Sequence, residues 1–301
     1  MAFEPFDKVA LIGLGLIGSS LSHVMRREKL AKAISGHARS SETRDRAMEL
    51  GLADTMHEHA ADAVRDADLV VLCVPIGACG PVAQAIAYAL KPGAIITDVG
   101  SVKAAVIRDV APHVPDGVHF IPGHPIAGTE YSGPDSGFAS LFEDRWCILT
   151  PLNGTDKDAA ARLTAFWRAC GSDVDVMEPD HHDRVLSITS HLPQLIAFNI
   201  VTTAADLEEV TQQEVIKYSA GGFRDFTRLA ASDPTMWRDV YLNNRQAVLE
   251  LLGRFSEDMS ALQRAIRWGD GDMLFDMSLA PDNVRRIMLQ KTVKLRNMGL
   301  E

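Results

Sequence analysis

Val9-Ala10-Leu11-Ile12-Gly13-Leu14-Gly15-Leu16-Ile17-Gly18 decides the fold of this chain. Four apolar residues read as a short strand. The G-x-G-x-x-G run that follows opens a helical pattern from Ser19 to about Glu28. Each glycine has a physical task. Gly13 makes the tight turn from strand to helix, Gly15 lets the backbone approach a pyrophosphate, and Gly18 lets the helix lie close on the strand. Leu16 and Ile17 bring free N–H groups of the helix N-terminus to the anion. With strand and helix both legible around it, the motif predicts a bound nicotinamide or flavin nucleotide rather than a purely structural turn.

The pattern continues outward. Apolar runs at Val9–Ile12, Ala33–Gly36, Leu69–Val74 and Ala94–Asp98 alternate with helical patterns near Ser19–Glu28, Glu42–Leu50, Gly80–Leu90 and Val102–Val110. Such alternation predicts a parallel sheet covered on both faces, a Rossmann-like doubly wound α/β domain. Pro75 ends the third of these strands. Val74 and Pro75 therefore fall at a strand's carboxyl end, where ligands of such sheets bind. Further strands are expected near Val118–Ile121, Trp146–Leu149 and Val174–Met177, with a helix from Asp156 to about Cys170. After Glu178 strand signals nearly vanish. Helical patterns over 180–206, 211–231, 234–268 and 270–297 predict an all-helical second domain. The expected division is 1–178 for nucleotide binding and 179–301 for substrate binding and dimerisation. Long apolar-striped helices bury surplus surface against a copy of themselves, so a homodimer is expected.

The chain has 301 residues, enough for two medium domains, and hydrophobic and charged contents of 47% and 23% are ordinary for globular proteins. A net charge of -10 argues against a nucleic-acid or anionic-membrane binder. It also means that an anionic substrate needs a local cationic pocket. No stretch reads as a membrane span or a signal peptide. Cys73, Cys79, Cys147 and Cys170 show no paired spacing and read as reduced thiols of a cytoplasmic protein. The adjacent His181, His182 and Asp183 do not read as a metal site, because neighbours on a helix point about 100° apart.

An acidic residue about 20 positions past the glycines commonly accepts hydrogen bonds from the adenosine ribose of NAD. Here Ala38 fills that place, followed by Arg39, Ser40 and Arg44. A guanidinium and a hydroxyl suit a 2′-phosphate, so the expectation is NAD(P)+ with a lean toward NADP+.

Two further stretches narrow the reading. One is Thr97-Asp98-Val99-Gly100-Ser101-Val102-Lys103 followed by Gly123-His124-Pro125-Ile126-Ala127-Gly128-Thr129-Glu130. The other is Ser187-Ile188-Thr189-Ser190-His191-Leu192-Pro193-Gln194, followed by Gly221-Gly222-Phe223-Arg224-Asp225-Phe226-Thr227-Arg228 and Ser232-Asp233-Pro234-Thr235-Met236-Trp237. Together with the fingerprint these resemble the prephenate/arogenate (cyclohexadienyl) dehydrogenases of tyrosine biosynthesis, over about residues 8–290. The resemblance implies oxidative decarboxylation of a ring that becomes aromatic, with a small-molecule substrate carrying two carboxylates.

It also implies roles. His124 becomes the base toward the ring hydroxyl, a task that suits an imidazole near neutrality. Ser101, which otherwise reads as a helix N-cap, assists the same oxygen and touches the nicotinamide side. Arg228 grips a substrate carboxylate, and Arg224 four residues earlier shares its helix face. Ser187 and His191 line the pocket, on a helix that Pro193 is expected to kink. Trp237 walls the pocket or packs in the core, and Glu130 gates it through an ion pair. Cys79 is taken as packing in the loop after Pro75.

Two other readings compete. A 3-hydroxy-acid or 6-phosphogluconate-type dehydrogenase shares the two-domain plan but places a catalytic lysine in the helical part. The surroundings of Lys217 do not match that pattern. A non-catalytic NADPH sensor would not need His124 paired with Arg228. Neither a preceding helical mutase nor a following regulatory domain is expected from the short run before Val9 and the helical pattern near Glu301.

Overall fold

The computed structural model describes residues 3–208, 217–277 and 279. In β1 (Phe6–Ile12) successive side chains leave on opposite faces, and both sets are buried. Val9 and Leu11 enter one apolar cluster, Ala10 and Ile12 another. This is the mark of a parallel strand covered on both sides. β1 pairs with β2 (Ala31–His37) and β4 (Leu69–Leu72); β3 (Thr55–His57), β5 (Ile95–Asp98) and β6 (His119–Phe120) complete a parallel sheet of order β3-β2-β1-β4-β5-β6. The order reverses between β1 and β4, the place where doubly wound sheets open a ligand crevice. Helices α1 (Leu16–Glu28), α2 (Ser41–Glu49), α3 (Ala60–Val64), α4 (Ile76–Ile86) and α5 (Lys103–Val110) make the crossovers. Leu21, Val24 and Met25 of α1 cover one face. Cys79 and Ala83 of α4, with Val106 and Val110 of α5, cover the other.

The short β3 and α3 carry too little apolar pattern to be read from sequence. The strand before Pro75 stops at Leu72, and α4 starts at Ile76 rather than near Gly80. Pro75 sits at its N-cap, where a missing N–H costs nothing. Cys79 is therefore a buried helix residue, not a loop residue.

A second sheet contains β7 (Gly123–Pro125), β8 (Trp146–Leu149) and β9 (Asp173–Val176), with α6 (Lys157–Ala169) joining the last two. His124 lies inside β7, opposite Ile148, rather than in the loop its Pro/Gly neighbours suggest.

The helical part begins with α7 (Pro179–Leu186), passes through a π-turn at Ser187–His191 and continues as α8 (Leu192–Glu208). The wide turn ends just before Pro193 and widens the helix where the proline ring meets the preceding turn. Contrary to the sequence reading, the run Pro179–Leu207 is long and apolar enough to cross a membrane, with a mean hydropathy of 1.3 over its best window. Yet it carries His182, Asp183, Ser187, His191 and Gln194 as buried polar side chains, and their partners are protein groups. Only 28% of that window is buried, and Ile188, Ile200 and Leu207 along the run are exposed.

α9 (Gly221–Thr227) runs into a 3-10 turn at Arg228–Ala231; residues 211–216 of the helix expected there lie outside the described residues. The stretch 234–268 is two helices, α10 (Pro234–Asn243) and α11 (Arg245–Trp268), broken at Asn244. Most of the helix expected at 270–297 lies outside the described residues. Met1–Arg245 forms one compact unit, and the described residues from Gln246 onward form another.

One buried ion pair fixes the sheet's carboxyl edge. Asp98 at the end of β5 and Lys103 at the start of α5 are both fully buried and bonded to each other. The Asp98 carboxylate also accepts from the N–H groups of Gly100 (2.8 Å) and Gly123 (3.2 Å), while Lys103 Nζ donates to the Gly123 carbonyl at 2.5 Å. A Cβ on Gly123 would stand 3.1 Å from Thr97 Oγ1 and the Asp98 carbonyl. The backbone just before His124 is thus held from both sides. Lys103→Met leaves a carboxylate buried without its cation and is expected to lower the unfolding free energy by about 3–5 kcal/mol, measured by urea denaturation. An unchanged midpoint would contradict this reading of the pair.

Candidate active site

The nucleotide end follows from the glycines. Gly13 has φ +104°, and a Cβ there would collide with the Cys73 carbonyl oxygen and approach Val74 Cγ1 to 3.3 Å. Val74 thus stands beside the turn. A Cβ on Gly18 would collide with the Gly13 carbonyl, so that glycine sets how close α1 lies to the turn. At Gly15 a Cβ would meet nothing within 4 Å. Gly15 is the N-cap of α1 and makes no side-chain cap bond, so the amides of Leu16 and Ile17 open α1 toward that space. Free N–H groups and an unobstructed approach are what a pyrophosphate requires.

Past β2, Ser40 Oγ caps α2, accepting from Thr43 N–H and donating to Thr43 Oγ1. Arg44 Nη1 donates to the carbonyls of Ala38 and Arg39. The Arg39 guanidinium is exposed and has no partner among the described residues. Ala38 is buried, and no carboxylate occupies its place.

A second cluster is built on imidazoles. His124 Nδ1 lies 2.9 Å from His182 Nε2, and the rings meet edge-on with centroids 5.1 Å apart. His182 Nδ1 lies 2.8 Å from Asp183 Oδ1. That carboxylate also accepts from the backbone N–H groups of Lys103 (2.7 Å) and Ala104 (2.9 Å). Asp183 on α7 therefore caps α5 from outside. Ser101 is not the N-cap expected of it; Val102 holds that position without a side-chain bond. The Ser101 hydroxyl is half-buried, and no described residue bonds it.

Asn244 Nδ2 bridges the Asp183 carbonyl (2.9 Å) and His191 Nδ1 (3.1 Å). Trp237 meets His191 edge-on at 6.1 Å, and its ring is tilted by 32° against that of Tyr241 at 5.7 Å. It also lines an apolar cavity of about 330 Å3 with Phe198, Pro234, Arg238, Tyr241 and Leu242. None of those residues belongs to the imidazole network.

Burial, helped by His182, Lys103 and His191, holds the His124 pKa well below its ordinary value. Burial also lowers His182, against the opposing pull of its bond to Asp183. It brings His191 down to about 4. All three imidazoles are neutral near pH 7, and a neutral imidazole can accept a proton.

Among the remaining expected residues, Ser187 is buried, and its hydroxyl donates to the Arg184 carbonyl at 2.7 Å. Arg228 Nη1 stands 3.6 Å from Glu130 Oε2 on the loop after β7, so the expected ion pair at Glu130 has Arg228 as its partner. Arg224 does not join it. Its Nε donates to the Ser219 carbonyl at 3.1 Å, and Arg228 has already passed into the 3-10 turn. His124, His182, His191 and Trp237 are thus brought together.

Asp98, Lys103, His182, Asp183 and Asn244 were not singled out as site residues. Asp98 and Lys103 stood within the quoted Thr97–Lys103 stretch, where a strand-ending acid and a lysine five residues later were the signal. In the sequence His182 and Asp183 stand out only as would-be metal ligands. Asn244 left no signal in a continuous helical pattern.

Comparison with known proteins adds the family. Residues 21–176 match the prephenate dehydrogenase nucleotide-binding domain, and residues 178–278 match the prephenate dehydrogenase dimerization domain. A cyclohexadienyl dehydrogenase of Zymomonas mobilis is 44% identical over 90% of this chain and 92% of its own. The structure of prephenate dehydrogenase from A. aeolicus in complex with hydroxyphenyl propionate and NAD+ superposes with TM-score 0.80 and 31% identity, covering 98% of each chain. Synechocystis arogenate dehydrogenase gives TM-score 0.78 at 27% identity, covering 93% of this chain and 99% of the other. The chain belongs to the prephenate dehydrogenase family.

Proposed function

We propose that this chain catalyses oxidative decarboxylation of prephenate and arogenate in tyrosine biosynthesis, giving 4-hydroxyphenylpyruvate or tyrosine. The observation that carries this reading is a neutral imidazole, His124, on a strand clasped to Asp98 at the carboxyl end of β5, in a chain of this family. NAD(P)+ would accept the hydride from the carbon bearing the ring hydroxyl. His124 accepts the hydroxyl hydrogen bond and carries its proton while carbon dioxide leaves; the aromatised oxygen then takes it back, so no net proton is released.

Ser101 supplies a second hydroxyl at the same oxygen. Arg228 takes a substrate carboxylate in place of its long contact with Glu130, which gates the approach. His191, Ser187 and Trp237 wall the ring pocket. Arg224 contributes positive field against the chain's net charge of -10. Gly13, Gly15, Leu16, Ile17, Gly18, Val74 and Pro75 hold the nucleotide. Arg39 favours a 2′-phosphate, so NADP+ is the preferred cofactor. Ser40 acts there by capping α2, whose N-terminus faces the same loop.

The division at 178/179 and a homodimer through the helical domain belong to the same reading. Ile188, Ile200, Leu207, Leu249, Met259, Ile266 and Trp268 expose apolar surface that a second copy would cover. Four unpaired thiols suit a reducing cytoplasm.

Reduced nicotinamide formation with each substrate crossed against each cofactor tests the activity. Turnover is expected with at least one substrate and a higher kcat/KM for NADP+ than for NAD+. Arg39→Ala is expected to cut that ratio about tenfold, the scale of one charge-assisted hydrogen bond. No turnover overturns the function, and a strong NAD+ preference overturns the cofactor choice. His124→Asn is expected to lower kcat by about 10²–10⁴-fold with cofactor affinity unchanged. Because the His124 pKa lies below 6.5, the acid limb of kcat/KM is expected below that pH. A limb at or above it contradicts the assignment. Arg228→Gln is expected to raise the substrate KM at least tenfold, the scale of losing a charged contact; an unchanged KM removes Arg228 from the carboxylate site.

A further inference from the structure

Two imidazoles of the site are wired to one residue of α7, and the donors along each wire fix where the protons sit. We propose that Asp183 sets His124 and His191 in opposite tautomers, the first a hydrogen-bond acceptor at Nε2 and the second a hydrogen-bond donor at Nε2.

The first wire starts at the carboxylate. Its Oδ1 accepts from Lys103 N–H and its Oδ2 from Ala104 N–H, so both oxygens face donors. His182 Nδ1, 2.8 Å from Oδ1, is then a third donor. A neutral imidazole with its proton on Nδ1 has a bare Nε2. His124 Nδ1 stands 2.9 Å from that bare nitrogen and must donate to it. The His124 lone pair is left on Nε2. In water the Nε2–H form of histidine is the usual one, so this site inverts the default.

The second wire starts at the Asp183 backbone carbonyl, which can only accept. The Asn244 atom 2.9 Å away is therefore the amide nitrogen. The same nitrogen lies 3.1 Å from His191 Nδ1, which accepts its second hydrogen. The proton of neutral His191 sits on Nε2, and that N–H is buried without a partner among the described residues. A buried donor left open inside a site is available to an acceptor on the ligand. Lys103 from α5, His182 from α7 and His191 from the π-turn all oppose a proton on His124, which keeps the acceptor form populated.

The consequence is a division of labour. His124 takes the ring hydroxyl's proton and can share the imidazolium charge through His182 toward Asp183. His191 offers a hydrogen to the substrate. The proton moves from hydroxyl oxygen to His124 Nε2 and back, so no further reactant is needed. His182, Asp183 and Asn244 are positioning residues. This rests on the reading of His124 as the base, but the tautomers can be observed without turnover.

Neutron diffraction from crystals of the deuterated full chain is expected to place deuterons on Nδ1 of His124 and Nε2 of His191. A deuteron on Nε2 of His124 or on Nδ1 of His191 overturns the assignment. In kinetics, His182→Leu is expected to lower kcat by about 10²-fold or more, with cofactor affinity unchanged. His182→Gln is expected to recover much of that loss, because its amide oxygen can accept the same hydrogen from His124. A His182→Leu enzyme with wild-type kcat, or a Gln variant no better than Leu, overturns the positioning role. If the wild type fails to turn over either substrate, the proposed function falls while the deuteron positions still decide the tautomers.

Discussion

The whole site hangs on one buried pair of charges. Asp98 and Lys103 are removed from water together, and each also serves Gly123. Removing two charges from water is costly, and a buried pair is poor evidence of stability gained. Its value here is geometric. The carboxylate holds an amide and the ammonium holds a carbonyl of one residue, so the peptide planes leading into His124 have little freedom. A first sheet that ends at β6 and a second that begins at β7 are stitched together at Gly123, one residue before His124.

A second constraint acts from the helical part. Asp183 plugs the N-terminus of α5, where two backbone amides would otherwise point at the cleft. A carboxylate at a helix N-terminus is favoured by the helix dipole as well as by the two hydrogen bonds. Because the same residue reaches His182 through its side chain and Asn244 through its carbonyl, docking of α7 on α5 and alignment of the imidazoles are one event. Burial, with Lys103 and the neighbouring imidazoles opposing a further positive charge, keeps the ring of His124 uncharged.

The glycine fingerprint was legible because backbone geometry demands particular residue types at fixed spacing. Gly13 needs a positive φ and Gly18 a close approach, and no side chain satisfies either. The alternation of strands and helices was legible for the same local reason. His124 stands out in the sequence through its motif, though its strand does not, since three residues carry no periodicity. His182 was not legible. Its partner lies 58 positions away, and such proximity is created by packing that no local pattern encodes. The break at Asn244 was hidden in a continuous apolar stripe, and the cap of α5 was sought in Ser101 when it is supplied by another helix.

The wide turn at Ser187–His191 holds one residue more than a regular helix would, with the Leu192 N–H reaching back five positions to the Ser187 carbonyl. Excising a single residue there would let the run close into an ordinary helix with its greasy stripe almost intact. Because the wide turn absorbs its extra residue at a lower twist per residue, α7 and α8 would keep nearly the same phase, and only the side chains within Ser187–His191 would be re-aimed. In this segment register matters more than composition: a one-residue deletion would spare the helix and still turn Ser187 or His191 away from its present neighbours.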